Sequence, residues 1–367
     1  MDKVVMSVLK LPYVHFFETS FGRETDRTFI LLEVYAEDLV GYGEVVAPQS
    51  PLYSYETTST AWHMLKDFLI PMVFDGAIVE PDVFFLEAQK YRGHPMAKAG
   101  LELALWDLKA KKQQQPLSLV YGGKGLEISA GVSVGIQDSE SQLLDRIEEF
   151  LDQGYQRIKV KIKPGWDVQV CQSIREKFSG IQLQADANGA YRIEDLPKLK
   201  KLDDIGLLML EQPFPPYDLW DHSRLQKEIK TPLCLDESIL SLTSVRQAFE
   251  MKSCRIVNIK IGRVGGVVES MRIHDFCQEH SIPVWCGGML ESGIGRAHNV
   301  HLASLPNFKF PNDISASARY YKDDIIEPPF KVTKKGMIAV PQLPGIGVSP
   351  VRRQINKVTL QRETFSS

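Results

Sequence analysis

Five charged residues close five apolar runs of this 367-residue chain at almost one interval: Lys161, Asp186, Glu211, Asp236 and Lys260 lie 25, 25, 25 and 24 positions apart. The runs are RIKVKI (157–162), IQLQADAN (181–188), GLLMLEQP (206–213), PLCLDESI (232–239) and RIVNIKIG (255–262). Each reads as a buried strand, and the stretches between them space their apolar residues as helices do. One strand, one helix and two loops occupy about 25 residues. A repeat of that size with a strand in every unit specifies parallel βα units, which in succession close into a barrel or open into a doubly wound sheet. In a barrel, groups at the C-terminal strand ends point into one mouth, where such folds keep their active sites. Three carboxylates flanked by two lysines are therefore expected to converge there.

The rhythm does not cover the whole chain. A (β/α)8 barrel takes about 250 residues, which leaves room for a second, smaller domain. The alternating stretches TFILLEVYA (28–36) and GYGEVV (41–46) predict antiparallel strands, and TTSTAWHMLKDFLIPMVF (57–74) and PMAKAGLELALWDLKAKKQQ (95–114) predict helices. Residues 1–125 are thus expected to form an α+β capping domain, ended by the glycine cluster YGGKG (121–125). The barrel is predicted over 126–325, so the fold class is α/β, a capping domain plus a modified (β/α) barrel. It opens with ISAGVSVG (128–135) and the helix DSESQLLDRIEEFLDQG (138–154), which has an acidic first turn and a closing glycine. PVWCGGML (283–290) adds a sixth strand to the five and NFKFPND (307–313) a weaker seventh; an eighth is not separable from the C-terminal segment by pattern. Residues 326–367, with the proline-rich EPPFK and PQLPGIGVSP, are expected to return toward the capping domain, with the polar tail after about residue 352 frayed.

Composition narrows the partners. Hydrophobic residues at 44% and charged ones at 24% are ordinary for a soluble globular protein. A net charge of −3 without a basic block leaves nothing to neutralise phosphates, so no nucleic-acid partner is expected. The N-terminal MDKVVMSVLKLPYVHF lacks a sustained apolar core with a cleavage site, and no run of about 18 apolar residues occurs, so no membrane association is expected. Five scattered cysteines without CxxC spacing suit reduced thiols and a cytoplasmic location.

The mouth residues carry the chemistry. Asp186, Glu211 and Asp236 offer hard oxygen ligands of the type that suits Mg2+, and three such charges repel unless a cation sits among them. The plainer alternative has each acid capping a helix or pairing with a lysine; three acids in register favour a metal site. Lys161 on the second strand and Lys260 on the sixth lie on opposite sides of an eight-stranded ring. Two such bases could remove a proton from either face of the carbon beside a metal-bound carboxylate. Alternation puts Lys159, Lys161 and Lys163 on one strand face, so that Lys159 can support Lys161 as the base. A basic lysine needs its pKa lowered toward about 7 to 8, which a neighbouring cation favours. Arg263 is a candidate partner for Lys260.

With these residues in view, KVK (159–161), DAN (186–188), EQP (211–213), DES (236–238) and NIKIGRVGG (258–266) resemble the barrel motifs of the enolase superfamily, in its muconate-lactonizing-like group. GGMLESGIGR (287–296), PLYSYE (51–56), TSFG (19–22) and SAS (315–317) narrow the resemblance to the o-succinylbenzoate synthase / N-acylamino acid racemase family found with menaquinone biosynthesis. The resemblance runs from about residue 15 to about residue 325. It implies Mg2+, or a related ion such as Mn2+, on Asp186, Glu211 and Asp236. It also implies Lys161 and Lys260 as the acid/base pair with Lys159 in support, a small-molecule carboxylate substrate and a homo-oligomer. The implied reaction is the syn-dehydration of 2-succinyl-6-hydroxy-2,4-cyclohexadiene-1-carboxylate to 2-succinylbenzoate, with N-acylamino acid racemisation as the rival. A non-catalytic barrel would leave the five mouth residues without purpose, and a dipeptide epimerase would want paired acids where only Asp313 stands. HFFETSFGRETD (15–26) resembles a loop that closes over the site, GMLESGIGRA (288–297) could hold a substrate carboxylate at a helix N-terminus, and His298 and His301 read as structural.

Overall fold

The computed structural model describes residues 1–74 and 80–366. The N-terminal part is a long antiparallel hairpin, β1 (Lys3–Thr19) and β2 (Gly22–Ala36), followed by β3 (Leu39–Val45). Period-two alternation along these strands feeds two separate cores. Leu9, Leu11, Phe29 and Leu31 join the core that continues into the barrel, whereas Met6, Ile30, Leu32 and Val34 pack on the helices of the cap. The predicted helix over 57–74 forms with Thr57 as its N-cap, but it contains a wide π turn at Leu65–Leu69. That turn lies just ahead of Pro71, which has no N–H for the regular helical ladder. The second cap helix, Pro95–Lys112, lies so close to β3 that a Cβ on Gly43 would sit 2.0 Å from the Gly100 carbonyl oxygen. This approach turns Glu44, the next residue, toward the barrel.

After a short strand β4 (Glu127–Ser129), seven parallel strands follow in unbroken order: β5 (Gly131–Val134), β6 (Arg157–Lys161), β7 (Gln182–Asp186), β8 (Met209–Glu211), β9 (Leu233–Leu235), β10 (Ile256–Ile259) and β11 (Val284–Cys286). The helix after β5 spans Glu140–Gln153, capped by Ser139 at one end and by Gly154, at φ 105°, at the other. The NFKFPND stretch closes the ring through single bridges, Phe308 to Val284 and Asn312 to Ala130. It is the eighth member, since ISAGVSVG already supplies the first, and pattern could not count it because one-residue bridges leave no run of strand residues. The C-terminal segment adds no barrel strand. Its β12 (Ile326–Glu327) pairs with β14 (Ser349–Pro350), and β13 (Met337–Ala339) pairs with β4. The tail does not fray. A helix over Arg352–Val358 leads into β15 (Thr359–Ser366), which pairs antiparallel with β1 from Lys3↔Ser366 onward. Its polar side chains find partners there, Arg362 on the Ser7 hydroxyl at 3.1 Å and Glu363 on Lys66 at 2.7 Å, which composition alone does not reveal.

Candidate active site at the barrel mouth

Strand register, rather than sequence interval alone, sets the mouth. Lys161 pairs with Asp186 and Asp186 with Glu211, so these three stand side by side at one level. Glu211 pairs with Cys234, which places Asp236 one pleat further up, and Val257 pairs with Leu235, which lifts Lys260 again. The nearly constant spacing therefore produces a rising row, as the stagger of a barrel requires. Glycine or left-handed backbone appears just beyond these ends: Asn188 and Gln212 sit at φ 45° and 39°.

Each carboxylate of the row is held by cations and amides. Lys161 Nζ donates to Asp186 Oδ2 at 2.6 Å and to Asn188 Oδ1 at 2.7 Å. Lys159 Nζ, almost fully buried, lies 3.0 Å from Asp313, 3.2 Å from Asp186 and 3.2 Å from Glu211. Gln184 donates to Glu211 at 2.6 Å, and the Asn258 amide bridges Glu211 at 2.8 Å and Asp236 at 3.1 Å. Lys260 Nζ donates to Asp236 Oδ2 at 2.8 Å and to the Tyr53 hydroxyl at 3.1 Å. Arg263, on the short helix Ile261–Val264, donates to Asp236 as well and to the carbonyls of Ile239 and Asn258 at 2.8 and 2.6 Å. Arg263 is buried.

Charge explains the titration behaviour. Burial works against ionisation of Asp186, but Lys161 and Lys159 overcome it and hold the carboxyl below the ordinary range. Glu211 goes the other way, because burial and the charge of Asp186 outweigh Lys159. Burial alone would lower Lys260, yet Tyr53, Glu237, Glu211 and Asp186 raise it above the ordinary lysine value. Lys159 is raised in the same manner by Asp313, Glu211 and Asp186.

Five carboxylates (Asp186, Glu211, Asp236, Glu237, Asp313) face Lys159, Lys161, Lys260 and Arg263, with Arg157 acting on Asp313 from below. Among the described residues Glu237 is the acid of this group without an ion pair: Asn188 donates to its Oε1 at 2.8 Å, the buried Oε2 has no partner, and burial with the charge of Asp186 raises its pKa. With the side chains turned onto lysine, arginine and amide groups, no three acidic, histidine or cysteine groups converge on one point among the described residues. The unpartnered Glu237 oxygen and the all-oxygen donor set of the strand-end acids fit a hard divalent cation.

Lys159, Lys161 and Lys260 open into one cavity, whose far wall is the cap. Phe17, Thr19, Phe21, Leu52 and Tyr53 form that wall, so the hairpin HFFETSFGRETD does cover the mouth. Phe16 is not part of it: its ring lies under the Arg23 guanidinium at 3.9 Å. Lys163 follows β6 on the same face but leaves the barrel to pair with Glu18 at 3.4 Å. The helix N-terminus after GMLES does not offer a place for a substrate carboxylate. Glu44 of the cap already occupies it, accepting from the backbone N–H groups of Ser292 and Gly295 at 3.0 Å each. His298 and His301 are structural, their Nε2 atoms on the carbonyls of Tyr42 and Ile346 at 2.9 and 3.1 Å. Tyr53, Asn188, Glu237 and Asn258 lay within quoted motifs without an assigned role. Only their contacts across separate strands reveal one.

Comparison with known proteins follows the same division. Residues 142–354 match the family described as enolase C-terminal domain-like, and residues 4–122 match the mandelate racemase / muconate lactonizing enzyme N-terminal domain. The o-succinylbenzoate synthase of Geobacillus kaustophilus is 49% identical over 99% of this chain and 97% of its own. The N-succinylamino acid racemase of Thermus thermophilus is 44% identical over 99% and 98%. Among solved structures, an enolase-superfamily member from Listeria innocua superposes with a TM-score of 0.95 at 40% identity, covering 100% of this chain and 98% of that one.

Proposed function

The chain belongs to the enolase superfamily, within the group whose relatives bear the names o-succinylbenzoate synthase and N-succinylamino acid racemase, and from that premise we propose that it is a cytoplasmic o-succinylbenzoate synthase of menaquinone biosynthesis. The reaction is the syn-dehydration of 2-succinyl-6-hydroxy-2,4-cyclohexadiene-1-carboxylate to 2-succinylbenzoate. The observation that carries this reading is the pair Lys161 and Lys260, reaching one cavity from the second and sixth strands of the ring, beside three strand-end carboxylates. A hydrogen beside a carboxylate resists removal because two negative charges then collect on the same group. Asp186, Glu211 and Asp236 would hold a divalent cation such as Mg2+, which would supply positive charge against that build-up.

Lys161 removes the proton on its face and then, as an acid, protonates the departing hydroxyl on the same face. Lys159, locked between Asp186, Glu211 and Asp313, keeps the Lys161 side of the site fixed and positive. Lys260 remains charged and faces the developing ene-diolate, oriented by Asp236 and Tyr53. The cap hairpin excludes water while the charge exists. Because Lys260 opposes Lys161, the same site also supports racemisation of N-succinylamino acids, with each lysine serving one face. The 44% identity to a relative of that name favours this as a second activity.

The direct test is to incubate the purified protein with the cyclohexadiene carboxylate and Mg2+ and follow 2-succinylbenzoate formation by absorbance. Rapid aromatisation that stops after exhaustive chelation is expected. Racemisation without dehydration would reverse the order of the two activities, and neither would overturn the reading.

A further inference from the structure

Five cationic side chains line the mouth cavity: Arg23, Arg27, Lys159, Lys161 and Lys260. Four of them are engaged by carboxylates, Arg23 by Glu18 at 2.7 Å and Asp138 at 2.6 Å, and the three lysines by the acids of the barrel. Arg27 is the exception. Among the described residues no carboxylate lies within 4.0 Å of its guanidinium. Its one hydrogen bond goes to the Val46 carbonyl. Yet its side chain is 94% buried, being 6% exposed, in the wall of the cavity.

Two acids stand close by, and both are engaged elsewhere. Glu24 of the same hairpin takes the Tyr13 hydroxyl at 3.5 Å, and Glu291 of the barrel takes the Met289 N–H at 2.9 Å. A guanidinium has five N–H donors and keeps its charge at every relevant pH. Burying it without a counter-ion is costly, and the cost is offset when a ligand brings the anion. Its planar fork matches a carboxylate in bidentate fashion.

We propose that Arg27 is the residue that receives the carboxylate of the succinyl arm, and that it sets the preference for such diacids over analogues lacking that group. The inference rests on the reading above, in which the first carboxylate lies at the barrel mouth beside Lys161 and Lys260. Arg27 belongs to β2 of the cap and the lysines to the barrel, so the two ends of such a substrate are recognised by different domains. Closing the cap over the mouth and recognising the arm then become one event.

The test compares the N-succinyl and N-acetyl forms of one amino acid, which differ by the second carboxylate. Arg27→Met is expected to lower the N-succinyl to N-acetyl ratio of kcat/KM by about 10- to 100-fold, the loss that one charge-assisted pair represents. Arg27→Lys, which keeps the charge but not the fork, is expected to restore part of the ratio. A ratio that stays at the wild-type value would overturn the proposal, however far both rates fall, because damage to the fold affects the two substrates alike. Calorimetric binding of 2-succinylbenzoate against 2-butyrylbenzoate gives a readout that needs no turnover. Selective loss of the diacid in Arg27→Met supports the role of Arg27 even if the wild-type protein catalyses neither reaction, and equal binding of both compounds by the wild type contradicts it.

Discussion

Buried carboxylates occur in two regions of this molecule and behave in opposite ways. At the barrel mouth, Asp186 and Asp313 are held below the ordinary carboxylate range. Burial opposes this in both cases, but Lys161 and Lys159 overcome it for Asp186, and Lys159 and Arg157 bring Asp313 down to about 2. At the seam between cap and barrel, Glu44 and Glu102 are equally buried, with no cation within ion-pair distance among the described residues. Burial pushes Glu44 up to about 7 and Glu102 up to about 8, against the backbone N–H groups that each accepts. Both sit at N-termini of barrel helices. Glu44 holds Ser292 and Gly295, and Glu102 holds the Val268 N–H at 2.9 Å beside Gly266, where any Cβ would come within 2.1 Å of its Oε2. The contrast shows that burial alone does not define a catalytic acid. The mouth keeps charges of both signs in place for a charged ligand, whereas the seam uses neutral or partly neutral acids to fasten two domains.

The largest effect expected of any change at the mouth is that of Lys161→Ala. Dehydration and racemisation should both fall by about 10²- to 10⁴-fold, since no other described group takes the proton on that face. Near wild-type dehydration in a steady-state assay would remove Lys161 from its role. Glu211→Gln comes next. It is nearly isosteric, so circular dichroism should show the fold intact, while metal titration should show affinity weakened by more than the about 10- to 100-fold that loss of an outer partner costs. Unchanged affinity would mean that Glu211 belongs with the seam acids rather than with the metal ligands.

A smaller and selective effect is expected of Lys260→Arg. Charge is kept, but guanidinium is too weak an acid to pass protons, so dehydration should survive better than racemisation. Equal losses in the two rates would make Lys260 a proton carrier in both reactions.

The seam gives the smallest effect, on stability rather than rate. Glu102 has an ordinary value of 4.5 and reaches about 8 in the fold, so the folded state holds a proton that the unfolded state releases. The stabilisation is complete below pH about 4.5 and is lost as pH rises through about 8, with a slope of up to about 1.4 kcal/mol per pH unit. Thermal melts between pH 6 and 9 should therefore fall with rising pH, and Glu102→Gln should flatten part of that slope. An unaltered slope would show that Glu102 is ionised throughout and that the seam resembles the mouth after all.

Much of this was legible in the chain because the barrel repeats itself. The spacing of Lys161, Asp186, Glu211, Asp236 and Lys260 follows from the length of a βα unit, and inward alternation placed Lys159 with them. The stagger that lifts Asp236 and Lys260 one and two pleats above Glu211 depends on register, which no single strand carries. Tyr53 and Arg27 were hidden for a different reason. They come from the cap, and their contact with the mouth exists only after two domains meet. Glu44 was hidden likewise, and for that reason the helix N-terminus after GMLES read as a free anion site. The tail after residue 352 read as frayed because its stability comes from an edge of β1 some 350 residues earlier in the chain.

The central claim is that Lys161 and Lys260 serve opposite faces of one carbon, and deuterium exchange tests it directly. Each enantiomer of an N-succinylamino acid is incubated in D2O with Mg2+ and the Lys161→Ala or the Lys260→Ala variant, and loss of the α-hydrogen signal is followed by NMR. The account predicts that each variant exchanges one enantiomer only, and that the two variants exchange opposite ones. Exchange of the same enantiomer by both variants, or of both enantiomers by either, would contradict it.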